Sequence, residues 1–213
     1  MKRRFGDGPV SRLLSALFDL VMINLLLIVC SLPLFTAGAA ACGAFMAVRS
    51  VLQDGRSSAV GTFFSGFREN FRQAAYLSLG SIVVTAALFS YYLLLRLYFE
   101  GTAYTVLLVV LGLVAFVFLA VLAYAVPLIT RYRNSLREHL HNALILSVLN
   151  LPRTVVMVFL HALPFILFFL IPVAFVYTLL FWLLLGMSFA LLVDALLLRD
   201  VFDRLERGEL SSR

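Results

Sequence analysis

Long apolar runs alternate with short polar segments along this chain of 213 residues. Four runs contain no Asp, Glu, Lys or Arg: 20–48, 73–95, 102–130 and 154–193. Each run meets or exceeds the roughly 20 apolar residues that a helix needs to cross a bilayer. None alternates with the period of two that a membrane β-barrel requires. The pattern therefore predicts an all-α, polytopic helical membrane protein.

The first apolar run is too long for one helix. Extended back to Leu13 past Asp19, it would reach about 54 Å as a straight helix, against a hydrocarbon core of about 30 Å. Pro33 lies near its middle, so we predict a hairpin that turns at 33–36. The returning segment either spans the membrane or is re-entrant and lines a polar cavity.

The last apolar run must also form two helices, and the sequence LIPV at 170–173 divides it most evenly. The whole chain, 1–213, is then one membrane domain with six transmembrane helices, of which the second is short. The predicted spans are 13–33, 36–52, 73–95, 103–130, 153–171 and 173–197. The predicted cytoplasmic parts are two amphipathic segments and a tail, at 59–72, 131–151 and 198–213.

Basic residues indicate the orientation, because Lys and Arg concentrate in cytoplasmic loops. With six spans and both termini cytoplasmic, every one of the 17 basic residues except Arg96 lies inside. A single span in place of the hairpin would put many of the later arginines on the wrong face. A cleaved signal peptide is disfavoured, because the apolar region is too long and Asp19 interrupts it.

Composition supports the membrane assignment: 63% of residues are hydrophobic, 13% are charged, and the mean hydropathy is +1.04. The net charge of +6 would suggest a nucleic-acid partner in a soluble protein. Here it reflects arginines along one membrane face, so no nucleic-acid partner is expected. Cys30 and Cys42 lie in the first apolar run, where inert thiols are expected.

Small residues dominate the second predicted helix. Gly38 begins the series, and pairs such as Ala39 and Gly43 recur four residues apart. Without bulky side chains a helix backbone approaches its neighbours closely, and membrane helices gain packing energy in this way. We therefore expect this short helix to be buried among longer ones.

The segment 59–72 carries aromatic residues at helical spacing. Phe63, Phe67 and Phe71 recur every four residues, whereas Arg68 and Arg72 fall elsewhere on the helix. This pattern predicts an amphipathic helix lying in the headgroup layer with its apolar face down. A docking surface for a partner protein is the alternative.

A few polar residues are predicted at membrane depth, where ionisable groups are expensive and often functional. Counted from the nearest cytoplasmic arginine, Asp19 lies about 10 Å deep, His161 about 12 Å and Asp194 about 7 Å, and Asn24 is deeper. Their similar depth permits one shared polar layer. It serves either local structural pairing or a substrate or proton pathway.

Signals for metal, cofactor or catalysis are weak. His139 and His141 are two residues apart, which points them to different helix faces, unlike the i, i+4 pair of a helical zinc site. No phosphate-binding glycine loop and no catalytic triad pattern is present. We expect no metal, no cofactor and no enzymatic activity.

An ordered set of motifs resembles the YesL family of uncharacterised bacterial membrane proteins, domain of unknown function 624. The motifs are Asn24 with LLLIVCSLPLFTAGAA, FMAVRSVLQDG (45–55), FFSGFRENFRQA (63–74) and NALILSVLNLPRT (142–154). The matched positions are Asn24, Pro33, Thr36, Gly38, Phe67, Phe71, Asn142, Pro152 and Arg153. The family's activity is not established, so the resemblance assigns no role to these residues.

The resemblance implies a bacterial cell-membrane protein with a non-catalytic accessory role in carbohydrate uptake by ABC-type transporters, or in the regulation of that uptake. Such a protein would contact lipid and a carbohydrate permease. Assembly into a homo-oligomer is a further alternative. The alternative is a stand-alone small-solute transporter or channel that uses the buried polar layer.

Overall fold

A computed structural model describes residues 9–53 and 58–207, and nearly all of them are helical. The helices are α1 (Pro9–Ser31), α2 (Ala37–Gln53), α3 (Ala59–Tyr98), α4 (Gly101–Arg131), α5 (Leu136–Leu149), α6 (Leu151–Leu170), α7 (Pro172–Phe181) and α8 (Met187–Glu206). A 3₁₀ turn (Leu34–Thr36) precedes α2, and a π-helical turn (Trp182–Gly186) joins α7 to α8.

Six helical segments of the described chain are long and apolar enough to cross a membrane. They are Val10–Ser31, Leu34–Gln53, Ala59–Tyr98, Gly101–Arg131, Leu151–Leu170 and Pro172–Leu205. The prediction of six spans in an all-α membrane fold is thereby confirmed. The side of the membrane on which each terminus lies stays a prediction from the arginine pattern. Residues 1–8, 54–57 and 208–213, which include part of the predicted tail, lie outside the described residues.

The hairpin between α1 and α2 turns where the proline predicted it. Proline restricts the residue before it to extended conformations, so α1 ends at Ser31, two residues before Pro33. The Thr36 hydroxyl contacts the carbonyl oxygens of Cys30 and Pro33, each at 2.6 Å, and can donate to either. A carbonyl left open by the end of α1 is thus satisfied within the turn.

Helix α2 is the centre of the bundle and packs against α1, α3, α4 and α8. Its most apolar stretch is half buried, a larger share than in any other candidate span. A Cβ added to Gly43 would lie 2.5 Å from the carbonyl oxygen of Phe63, and one added to Gly66 would lie 3.1 Å from the Gly43 Cα. The expected burial of a small-residue helix is confirmed. The single continuous helix favours the spanning interpretation over the re-entrant one.

Helix α3 differs from the prediction, because it runs without a break for 40 residues. The segment 59–72 is its first part and not a separate helix. Phe63 is fully buried, and the Phe67 Cβ lies close to Gly43. The expected position of this aromatic face in the headgroup layer is therefore wrong for Phe63. Phe63 instead packs against α2, because the glycines of α2 and α3 let the two helices approach closely.

Helix α8 continues past the predicted end of the last span at 197 and reaches Glu206. Leu198, Val201 and Phe202 are buried in the core at helical spacing. The break between α6 and α7, by contrast, falls at Ile171, within the predicted 170–173. Helix α5 begins at a capping box formed by Ser135 and Glu138 and packs against α4.

Candidate functional site

Asn24 on α1 is fully buried and binds the backbone of the π-helical turn. Its amide nitrogen donates to the carbonyl oxygens of Trp182, at 3.1 Å, and Leu183, at 2.8 Å. Its side-chain oxygen accepts from the backbone N–H of Ser188, at 2.9 Å. A π-helical turn interrupts the regular i to i−4 bonds of a helix. One side chain here binds two backbone groups of that turn and one at the start of α8. We call this arrangement the Asn24 clamp.

The partly exposed His161 on α6 and the buried Asp194 on α8 form the second polar group. The His161 Nε2 lies 3.5 Å from the Asp194 Oδ2. The ring is oriented by its other nitrogen, since Nδ1 lies 2.9 Å from the carbonyl oxygen of Met157, one helical turn earlier. Asp194 is 2% exposed. Within the described part of the chain, its Oδ1 has no hydrogen-bond partner.

This pair lies in the wall of a cavity of about 720 Å³ between five helices, α2, α3, α4, α6 and α8. Most of the wall is aliphatic, and Phe89 and Phe165 contribute aromatic rings. The hydroxyl-bearing residues of the wall lie on α3 and are Ser78, Ser81 and Thr85. Because the Ser78 and Ser81 hydroxyls donate to carbonyl oxygens of their own helix, their oxygens can still accept.

The predicted polar layer is divided between different places in the structure. His161 and Asp194 meet, whereas Asn24 binds the π-helical turn. Asp19 is half-buried on α1 and is not one of the residues that line the cavity. Similar depth alone did not bring the four residues together.

The predicted family-motif residues have mainly structural contacts. Gly38 lines the cavity, and its N–H donates to the Ser78 hydroxyl at 2.7 Å. Arg153 lies 3.6 Å from Asp200, and Pro152 is in the first turn of α6. Asn142 lines a second, smaller cavity of about 350 Å³ beside α4 and α8.

The predicted aromatic and basic segment of α3 has two faces. Phe63 packs inward, and its ring stacks with that of Phe67 at a centroid distance of 6.3 Å. Phe64, Arg68, Phe71 and Arg72 are exposed. The exposed residues therefore remain available to a partner, while the inner aromatic residues hold α3 against α2.

Tyr124 and Thr154 form a buried contact that the sequence reading missed. The Thr154 hydroxyl lies 2.7 Å from the carbonyl oxygen of Ser147, to which it donates, and 3.1 Å from the Tyr124 hydroxyl. With its one hydrogen used, Thr154 accepts from Tyr124. Tyr124 is one of two tyrosines in the apolar run 102–130, and this pattern named no partner for it.

His139 and His141, the other histidines considered, both lie on α5. His139 is fully buried and His141 is exposed. Burial lowers the pKa of His139, and the nearby Glu138 partly opposes that shift. Among residues 9–53 and 58–207, no three or more His, Cys, Asp or Glu side chains are grouped so as to hold a metal ion.

Six apolar helical segments of the described chain, with α2 at their centre, define a multi-pass helical membrane protein. Residues 20–92 match the model of a family described as a protein of unknown function, DUF624. The resemblance noted in the motifs is thereby confirmed for this part of the chain, which includes the Asn24 clamp residue, α2 and most of α3. Comparisons with curated proteins and with solved structures give no match.

Proposed function

We propose that this chain is a non-catalytic protein of the bacterial cell membrane that binds a small solute in the cavity beside Asp194, as a stand-alone transporter or channel. The observation that carries the proposal is a buried carboxylate with one unpartnered oxygen, among the described residues, in the wall of that cavity. Intramembrane ionisable groups are costly and commonly mark solute or proton pathways. Concave apolar sites with a few polar groups are the usual form of small-molecule sites.

Water access to the cavity tests this function without knowledge of the solute. Ser81→Cys, in a background with Cys30→Ser and Cys42→Ala, should react with N-ethylmaleimide in membrane vesicles. The reaction requires a thiolate, which forms where water reaches the thiol. Val83→Cys is the matched control, because Val83 lies on the same helix, is 68% exposed on the outside of the bundle and does not line the cavity.

The expected result is labelling of Ser81→Cys and little labelling of Val83→Cys. Arg133→Cys, at an exposed position between α4 and α5, shows that the reagent is active. If Arg133→Cys reacts and Ser81→Cys does not, the cavity is dry and the proposed function is wrong.

An accessory role in carbohydrate uptake is the second candidate, favoured by the exposed part of the α3 segment. Phe64, Arg68, Phe71 and Arg72 combine aromatic and cationic groups on one surface, which suits a protein interface. The resemblance to the YesL family implies a carbohydrate ABC-type permease as the partner.

Co-purification of the C-terminally tagged chain from its native membrane tests that role. We expect stoichiometric recovery of a carbohydrate permease if the role is correct, and loss of the permease from Arg68→Ala/Phe71→Ala. Arg133→Ala is the control, because it removes an exposed cation elsewhere. Recovery of the chain alone, as a monomer or homo-oligomer, would contradict the accessory role.

A further inference from the structure

The orientation of His161 determines which of its ring nitrogens faces Asp194. A carbonyl oxygen only accepts, so the 2.9 Å contact with Met157 places a hydrogen on Nδ1. In a neutral ring Nε2 then carries a lone pair, which would face the Asp194 carboxylate at 3.5 Å. One further proton relieves this repulsion, whether it is on the imidazole or on the carboxyl group. With that proton the pair is neutral overall, and without it the pair carries one negative charge.

Among the described residues that line the cavity, only His161 and Asp194 are acidic or basic. Tyr124 on α4 is near enough to interact electrostatically with Asp194, and Arg153 acts on Tyr124 from α6. The cavity wall from α2 and α3 carries no acidic or basic residue, and from α4 it carries none either. Loss of the shared proton would leave one negative charge in an apolar site, which is costly unless a cation arrives.

The cavity favours a cation of a particular kind. Its wall is chiefly aliphatic, with two phenylalanine rings that can attract a cation through their faces. A small hydrated metal ion would need several oxygen ligands, whereas an organic cation can leave its apolar body against the wall and its charge near Asp194. The volume of about 720 Å³ is in the usual range for small-molecule sites.

We propose that the cavity binds a monovalent organic cation with an apolar body, in exchange for the proton that His161 and Asp194 share. The inference rests on the proposed function and specifies its ligand. One positive charge enters and one proton leaves to water, so the charge of the site stays constant. Asp194, in the cavity wall, supplies the negative charge beside the bound cation, and the Nδ1 hydrogen of His161 stays on the carbonyl oxygen of Met157.

Calorimetric titration of the full-length protein in detergent with tetraphenylphosphonium tests the exchange. Titrations in phosphate and in Tris, which differ in ionisation enthalpy, count the protons released. We expect release of about one proton for each cation bound. Tetraphenylborate, an anion of the same shape, should not bind specifically.

Asp194→Asn should weaken tetraphenylphosphonium binding by more than about tenfold and abolish proton release. The side chain keeps its shape but loses its charge, and intrinsic fluorescence should show that the variant is folded. Asp200→Asn is the matched control, because this aspartate lies on the same helix with its side chain 68% exposed. It should behave as the wild type.

Equal binding by wild type and Asp194→Asn would overturn the proposal, as would binding without proton release or equal binding of tetraphenylborate. Absence of specific tetraphenylphosphonium binding to the wild type would overturn the ligand class. If Ser81→Cys is labelled in that case, only the ligand class is wrong and the proposal of a solute cavity is still supported. If Ser81→Cys is also protected, the proposed function fails as well.

Discussion

Asn24 and Asp194 are both buried in the apolar interior, but they differ in how completely their polar atoms are hydrogen-bonded. Asn24 uses both amide hydrogens and its oxygen in bonds of 2.8–3.1 Å. Asp194 has His161 as a neighbour at 3.5 Å, and its other oxygen has no hydrogen-bond partner in the described ranges. The hydrogen-bonding groups of Asn24 are all used by the backbone, whereas Asp194 has an oxygen that can still accept a hydrogen bond.

The packing around the two residues also differs. Asn24 lies beside a close-packed cluster of α1, α2, α3 and α8, which includes Ile23, Ala40, Ala44, Phe45 and Phe63. Asp194 lies in the wall of the cavity. A polar group inside a membrane stabilises the fold when all its bonds are made, and an incomplete one is tolerated where function needs it. We therefore expect the two sites to respond to mutation in opposite ways.

Asn24→Ala should have the largest effect on stability. It leaves three backbone groups without their partner, at about 1–3 kcal/mol each, so we expect a loss of about 4 kcal/mol in the free energy of unfolding. The single tryptophan, Trp182, lies in the π-helical turn and reports its unfolding by fluorescence. Asn134→Ala at an exposed position is the control. Equal stability of the two variants would show that the clamp contributes nothing.

His161→Ala should come next, with a loss of about 3 kcal/mol, because it leaves a buried carboxylate without its partner. Asp194→Asn should leave the stability unchanged or raise it, since it removes a buried charge. The double variant should recover most of the loss. Thermal unfolding of the three proteins at pH 7 measures this, and a double variant no more stable than His161→Ala would contradict the pairing.

Gly43→Ala tests the close packing with a smaller expected loss of about 2 kcal/mol. The new Cβ would lie 2.5 Å from the Phe63 carbonyl oxygen, so α2 and α3 must separate. Gly80→Ala has nothing within 4 Å of its Cβ and should gain up to about 1 kcal/mol from helix propensity. Chemical unfolding in mixed micelles compares them, and a stable Gly43→Ala would show that the crossing is loose.

His139 should give the smallest effect, visible as a pH dependence. Burial lowers its pKa in the folded protein, so the unfolded chain binds a proton first as the pH falls. Its contribution to stability is complete above about pH 6.5 and declines as the pH falls from there to the folded-state pKa. His139→Leu should flatten the stability profile in that window, whereas His141→Leu, at the exposed histidine of α5, should not. Parallel profiles for wild type and His139→Leu would exclude this titration.

Much of the architecture was readable because single residues impose it. Pro33 and Pro172 fixed two helix breaks, and the small residues from Gly38 to Ala44 predicted a buried helix. The extent of α3 was not readable, because the charged residues near Arg68 resemble a helix end. Only the close contact between Gly43 and Phe63 shows that this part of α3 packs against α2.

The candidate site was only partly predictable, since depth is readable from sequence and helix rotation is not. His161 and Asp194 were placed at similar depth, and the structure turns them towards each other. Asp19 had a similar depth and lies away from the cavity wall. The partners of Asn24 are backbone groups more than 150 residues away, which no side-chain pattern reveals.

The π-helical turn also sets the rotational phase of the last span. It fits one additional residue into a turn, and each residue of an α-helix advances by about 100°. The faces of α7 and α8 are thus offset by about that angle from an uninterrupted helix. Relatives that lack one residue between Trp182 and Ser188 should have no π-helical turn there. They should therefore also lack an amide at the position of Asn24, because that side chain binds the backbone groups that the turn exposes.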